Sequence, residues 1–285
     1  MSKNTVITGI LNDFHSGSNV SLLHPDAYNL NGGRKVDMNK YQKGLWEFWS
    51  KEIVPKWKNL DCLILNGDLC ELMMPRQAIT ECWSRDPIDQ INNVYELIKM
   101  LSPKKIYIVK GTPYHVIDNG THVEEQLGDT FSNRGMNVVK YQNKYAYEYR
   151  MINLAPKDGK PRVFHVTHHM GSTGVWQYRG TAPSKSMATL MLNESHFIDR
   201  KVWKRISGII RAHVHHYWYE ESANRIMLVN PCWQLATPFM LKVMPESVPD
   251  IGGTQLTIHS DGNIEHQRFL MDSNVMMPPV FKAFD

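Results

Sequence analysis

No apolar run in this chain approaches the roughly 20 residues that a helical membrane span needs, and no charged-then-apolar segment of the signal type stands at its start. The expectation from those two absences is a cytoplasmic protein with no membrane partner. Cysteine is scarce. The four present, Cys62, Cys70, Cys82 and Cys232, form no C-x-x-C pair and lack the density of a disulfide scaffold. That argues against a thiolate zinc site and for a reducing compartment. There is no strong charge of either sign: 32 Lys and Arg against 28 Asp and Glu give a formal +4, which neither requires nor excludes an anionic partner. Internal repeats, low-complexity tracts and linker-like stretches are also missing. At 285 residues, 42% hydrophobic and 21% charged, the chain is expected to form one domain over 1–285, with a C-terminal tail at 271–285.

What the chain does have is a series of short apolar runs that end in aspartate and histidine. Residues 206–210 read as a buried strand, and Ala212-His213-Val214-His215-His216 follows at its end. Alternate residues of an extended segment point the same way, so His213 and His215 can converge on one spot. Suitable partners follow other apolar runs: Asp13-Phe14-His15, Gly67-Asp68, Gly111-Thr112-Pro113-Tyr114-His115 and His168-His169. Five strand ends carrying Asp and His point to one metal site.

That ordered set resembles the calcineurin-like metallophosphoesterase superfamily, whose blocks run D-x-H, G-D, G-N-H-(D/E), a lone H and G-H-x-H. Asp13/His15, Gly67-Asp68, His168 and His213/His215 match four blocks, with Ala212 standing where the last block has Gly. The third block departs, having Gly111-Thr112-Pro113-Tyr114-His115. That form, His168-His169-Met170-Gly171 and Asn230-Pro231-Cys232-Trp233-Gln234 resemble a branch associated with bacteriophage genomes. Over residues 6–239 the resemblance implies an α/β fold: a metallophosphoesterase-like β-sandwich flanked by helices, with parallel strands in the N-terminal half and more antiparallel strands in the C-terminal half.

It also implies a chemistry. Two divalent ions about 3.5–4 Å apart activate water and meet the charge developing on phosphate. One ion would take Asp13, His15, Asp68 and His215. The other would take Asp68, His168 and His213, with the Asp68 carboxylate bridging the pair. Thr112 stands where the family has an asparagine ligand, which leaves Thr112, Asn119, water or another residue to complete the second ion. His115 is expected as the general acid, with a ligand or a plain turn histidine as the alternatives. His168 is preferred over His169 because it comes first after its strand. His169 would orient it or contact phosphate. An Asp/His set without thiolate favours manganese, with iron or zinc next. Asn66 and Arg211 flank the ligand blocks as substrate contacts or structural residues, and His216 reads as a neighbour.

Along the chain, strands are expected at 6–11, 60–65, 105–109, 163–166 and from 206. Loops border the site at 16–35 and 171–186. Helices follow Asp37, Pro87 and Thr121 and run over about 184–197. Residues 137–151 suggest antiparallel structure, as do runs at 226–229, 240–243, 255–258 and 264–270, with Asp261-Gly262 as a hairpin turn. Met73-Met74-Pro75 and Trp83 read as substrate wall or packed loop. The leading function is a metal-dependent phosphodiester hydrolase acting on DNA or RNA, where Trp176, Tyr178, Arg179 and Trp218 would stack bases. A small nucleotide or cyclic nucleotide is the rival substrate. A binding module that keeps the fold without catalysis, like the retromer's metallophosphoesterase-like subunit, is the rival class. The oligomeric state is left open.

Overall fold

Near-continuous apolar runs such as residues 62–65 should be covered on both faces. The computed structural model, which describes residues 4–72, 81–113, 121–171, 176–197, 206–222, 224–243 and 248–272, shows what covers them. Its strands are β1 Thr5–Leu11, β2 Tyr28–Asn29, β3 Arg34–Lys35, β4 Cys62–Asn66, β5 Ile106–Val109, β6 Ala146–Tyr147, β7 Tyr149–Asn153, β8 Val163–Thr167, β9 Ile206–Arg211, β10 Trp218–Ser222, β11 Arg225–Val229, β12 Gly252–His259 and β13 Ile264–Leu270. The helices are α1 Lys40–Phe48, α2 Val54–Trp57, α3 Pro87–Lys99, α4 Val123–Asn133, α5 Thr181–Phe197 and α6 Pro238–Val243. A π-turn, Trp49–Ile53, joins α1 to α2 and absorbs the missing N–H of Pro55.

One sheet has the order β13-β12-β1-β4-β5-β6 and the other β10-β11-β9-β8-β7, with β2-β3 as a separate ribbon. In the first, β1, β4, β5 and β6 run parallel while β12 and β13 are antiparallel. In the second, β8, β9 and β11 run parallel between two antiparallel edge strands. This is the expected sandwich, with parallel strands first and antiparallel ones entering later.

Alternation along single strands sets the layers. On β4, Leu63 and Leu65 join a cluster with Leu45, Trp49, Val94 and Leu127 from the helices, while Cys62 and Ile64 meet Phe164, Val166 and Ile210 of the second sheet. On β9, Ile210 faces inward, while Ile209 packs outward on Met187 of α5. The result is helices, sheet, sheet, helix. Local chemistry agrees: Asn39 and Gln42 form a capping box on α1, and Asp86 caps α3 ahead of Pro87. Among the described residues no helix is long and apolar enough to cross a membrane.

Some expectations change. Residues 240–243 lie in helix α6, where Pro238 takes the first turn and Thr237 Oγ1 accepts the Met240 N–H at 3.2 Å. An apolar run that short carries no readable period. Within 137–151, β6 pairs parallel with β5, while β7 and the Tyr141–Lys144 bridge are antiparallel, because alternation reports facing and not partner direction. Helix α5 starts at Thr181, inside the stretch read as a loop. Trp83 is buried against Leu23 and Ala27 and is not a substrate wall. Met73, Met74 and Pro75 lie outside the described residues, as does most of the tail.

Candidate metal centre

Six of the ligand candidates sit just past the carboxyl ends of strands, where open α/β sheets gather their ligands. Asp13 and His15 follow β1, Asp68 follows β4, His168 follows β8, and His213 and His215 follow β9. Loop backbones stitch these ends together: the Asp13 N–H donates to Gly67 O, the His15 N–H to Asp68 O and the Ala212 N–H to His168 O, each at 3.0 Å. Gly67, at φ +80°, leaves no room for a side chain, since a Cβ there would stand 2.6 Å from His168 Nδ1. Ala212 is outside the left-handed region, so the family's glycine is not required there. Asp13, His15, Asp68, His213 and His215 themselves have φ between 43 and 78°. Strained backbone at five converging polar side chains is the pattern of a functional site.

Two groups of donor atoms result: Asp13, His15 and His215; and Asp68, His168 and His213. In the first, Asp13 Oδ1 lies 3.5 Å from His15 Nε2 and 3.2 Å from His215 Nε2, and the two Nε2 atoms are 3.2 Å apart. Donors bound to one ion at about 2.0–2.2 Å stand about 3–3.5 Å from each other, so this triangle fits a single ion. In the second, Asp68 Oδ2 is 2.9 Å from His168 Nε2 and 3.9 Å from His213 Nδ1. The groups adjoin, with Asp13 Oδ1 3.8 Å from His168 Nε2. Asp13 Oδ1 and His168 Nε2 are both buried and met only by the other members of these groups, contacts that a bound cation would replace.

The outward atoms of these side chains are held. His15 Nδ1 meets Glu71 Oε2 at 2.6 Å, and His168 Nδ1 meets the Asn66 carbonyl at 2.6 Å, which turns each Nε2 inward. Asp13 Oδ2 accepts from Asn12 Nδ2 (2.6 Å) and the His213 N–H (3.1 Å). Asp68 Oδ1 accepts from the Thr112 N–H (2.6 Å) and Oγ1 (3.1 Å). Burial disfavours charge on His15, but Glu71 and Asp13 outweigh it and hold the imidazole up at about 10. Burial likewise opposes charge on His168, and Asp68 and Asp13 raise it to about 9. For Asp13, His168 and His215 overcome burial and hold the carboxyl well below the usual range.

His169 is exposed, with its ring centroid 4.5 Å from that of His213, whereas His168 is buried beside Asp68. The Thr112 hydroxyl is spent on Asp68. His115 and Asn119 lie outside the described residues. Asn66 and Arg211 are buried on backbone carbonyls, Asn66 donating to Thr167 and Arg211 to His165 and Ile210. His216 is buried beside Arg179 and driven down to about 4, by burial first. Trp218 packs on Gly180, and Arg179 lies 3.9 Å from Asp250. Glu71 and Asn12 escaped the sequence reading, although each stands within three residues of a ligand.

No family model and no curated protein matches the chain. It is similar in structure to zinc-complexed Vps29 from Entamoeba histolytica (12% identity, 93% of this chain and 99% of that one, TM-score 0.41). It is also similar to an archaeal phosphodiesterase (11%, 92% and 99%, 0.40) and to a predicted phosphoesterase from Streptococcus pneumoniae (11%, 95% and 100%, 0.33). Likenesses this distant carry no argument about chemistry, which rests on the residues above.

Proposed function

We propose that this chain is a dinuclear metal-dependent phosphodiester hydrolase of the calcineurin-like metallophosphoesterase type, of its phage-associated branch, acting on DNA or RNA in the cytoplasm of the host cell. The observation that carries the reading is the pair of adjoining donor groups, Asp13/His15/His215 and Asp68/His168/His213, at the carboxyl ends of strands from both sheets. The donor set is carboxylate and imidazole without thiolate, which suits manganese first and iron or zinc next. When bound, two such ions supply Lewis acidity toward phosphate and lower the pKa of water at the site.

The chain's own residues do the rest. Asp13 and Asp68 bring the negative charge that draws cations to a partly buried cleft. Glu71 and the Asn66 carbonyl fix which imidazole nitrogen faces it. His213, with its side chain 32% exposed, is the ligand nearest solvent and lies on the side from which a phosphate enters. His169, exposed beside it, is placed to donate to a phosphate oxygen. His115 is assigned proton donation to the leaving oxygen.

The test is hydrolysis of a chromogenic phosphodiester by metal-stripped protein with manganese, iron or zinc restored, Asp68→Asn alongside. Metal-dependent turnover that is lost in a folded Asp68→Asn variant is expected. Undiminished turnover in that variant would sink the two-ion assignment. On polymers, a nuclease binds with an affinity that falls steeply with salt. Turnover of cyclic nucleotides with no cleavage of DNA or RNA would replace the polymer by the small substrate.

A further inference from the structure

The segment Asn230-Pro231-Cys232-Trp233-Gln234 leaves the end of β11 and runs behind the first donor group, and its side chains alternate. Asn230, fully buried, donates through Nδ2 to Asn12 Oδ1, while its own Oδ1 accepts from Thr254 Oγ1. Asn12 passes this order on: its Nδ2 donates at 2.6 Å to Asp13 Oδ2 and at 2.9 Å to the Pro231 carbonyl. Four residues later Gln234 Nε2 donates to Glu71 Oε2 at 3.3 Å, the oxygen that also meets His15 Nδ1. Between them the Cys232 sulfur lies beside the His215 side chain, 3.2 Å from Gln234 O. The intervening Trp233 points the other way, stacked on Phe14 with ring centroids 6.0 Å apart. Its backbone is fastened on the same side, the Trp233 N–H donating to Asp13 O at 3.0 Å.

We propose that residues 230–234 form a positioning strip whose even-numbered side chains set the geometry of the Asp13/His15/His215 group, and so the affinity of that one ion site. The inference rests on the metal reading above and deepens it. Asn230 acts on Asp13 through Asn12, and Gln234 acts on His15 through Glu71. Cys232 backs His215. In the second group His168 is anchored on the Asn66 carbonyl and Asp68 on Thr112, and the strip touches it only where the His213 N–H shares Asp13 Oδ2, so the strip acts chiefly on the first group. Asparagine and glutamine at i and i+4 reach two ligands through Asn12 and Glu71, with a small thiol at i+2 between them, while the tryptophan fixes the strip to the core.

The experiment is manganese binding, by equilibrium dialysis with paramagnetic resonance of the free ion, to wild type, Asn230→Ala and Gln234→Met, after melting each in chelator to establish folding. Outer partners of metal ligands are typically worth about 10–100-fold in affinity. One of the two manganese sites should weaken by about that factor in each variant while the other keeps its wild-type affinity. If Asn230→Ala does not fold, Gln234→Met decides, because it removes a single hydrogen bond at nearly constant volume. Unchanged binding at both sites in a folded variant overturns the proposal and leaves the metal reading standing. Equal weakening of both sites also overturns it, since that marks general loosening. Wild-type protein that binds no manganese, zinc or iron removes the metal reading itself.

Discussion

Gly111 is the position where one methyl group should do the most damage. A Cβ there would stand 2.0 Å from Asp68 Oδ1 and 2.3 Å from the Asp68 nitrogen, against 3.4 Å for ordinary contact. The Asp68 backbone cannot retreat freely, because the Gly67 and Asp68 carbonyls hold the loop after β1 through two 3.0 Å hydrogen bonds. The carboxylate must therefore swing by more than about 1 Å, giving up the Thr112 N–H and its place beside His168. A misplacement of that size costs about 100-fold in rate, or about 2.7 kcal/mol of transition-state stabilisation. Gly111 is not in the left-handed region, so its backbone conformation adds nothing to this cost. The assay is kcat/KM on a chromogenic diester with manganese, with bound metal per chain and the melting temperature measured in parallel. Gly171→Ala, with nothing within 4 Å of its new carbon, is the control and should match wild type. A Gly111→Ala protein with wild-type turnover and two ions per chain would refute the placement of Asp68 and the dependence of the chemistry on it.

Other outcomes follow from the same geometry. His213→Gly relieves a φ of 78° worth about 1–3 kcal/mol, against about 0.4–1 kcal/mol for glycine's looser unfolded chain. In chelator the variant should melt at or above wild type, while its rise in melting temperature on adding metal shrinks; a large loss in chelator would contradict the strain argument. His15 at about 10 and His168 at about 9 are protonated at pH 7 in the metal-free protein and must be neutral to bind. Metal uptake should therefore release protons, from His15 and the likewise raised His215 in the first group and from His168 in the second, and affinity should climb with pH until those values are passed. Titration calorimetry in buffers of different ionisation enthalpy measures the release, and none at pH 7 would count against the charged imidazoles. Trp57→Ala, which empties a fully buried site packed on Gly9 and Gly253, should cost about 3–5 kcal/mol in urea unfolding without changing metal content of the folded protein.

The placement of the donors was legible because it depends on two local signals, an apolar run and the polar residues that end it. His213 and His215 both reach the centre, but from left-handed backbone and in separate donor groups, so it is not the alternation of an extended segment that brings them there, whereas Gly67-Asp68 does bring its carboxylate beside His168. Pro87 opens α3 as read, whereas α1 begins at Lys40 under an Asn39 cap, two residues past the Asp37 read ahead of it. Glu71 was not legible. Nothing in Gly67-Asp68-Leu69-Cys70-Glu71 says that the loop will lie along Ser16, with the Glu71 N–H on Ser16 O at 2.8 Å, and so lay a carboxylate against His15. Residues 240–243 misled for a different reason. Three apolar residues and a lysine, Met240-Leu241-Lys242-Val243, fit a strand or one helical turn equally, and the deciding hydrogen bond is to Thr237, outside the run.

The left-handed backbone at the ligands was equally invisible, and its consequence runs through the whole molecule. Asp and His tolerate positive φ better than most residues, yet five of them at one site cost about 1–3 kcal/mol each. That cost falls on the metal-free fold together with the desolvation of Asp13 and His168, which only the other ligand side chains meet. The counterweight lies elsewhere: the helix-side cluster around Trp49, Trp57 and Trp233, and the inter-sheet cluster around Phe164 and Ile210. Trp233 is where the two meet, since its ring belongs to the core while its N–H holds the Asp13 carbonyl. A cation that binds only the native state adds stability by mass action. The metal-stripped protein is thus less stable than the metal-bound one, and the rise in melting temperature on metal addition reports the free energy with which the ions bind the folded chain.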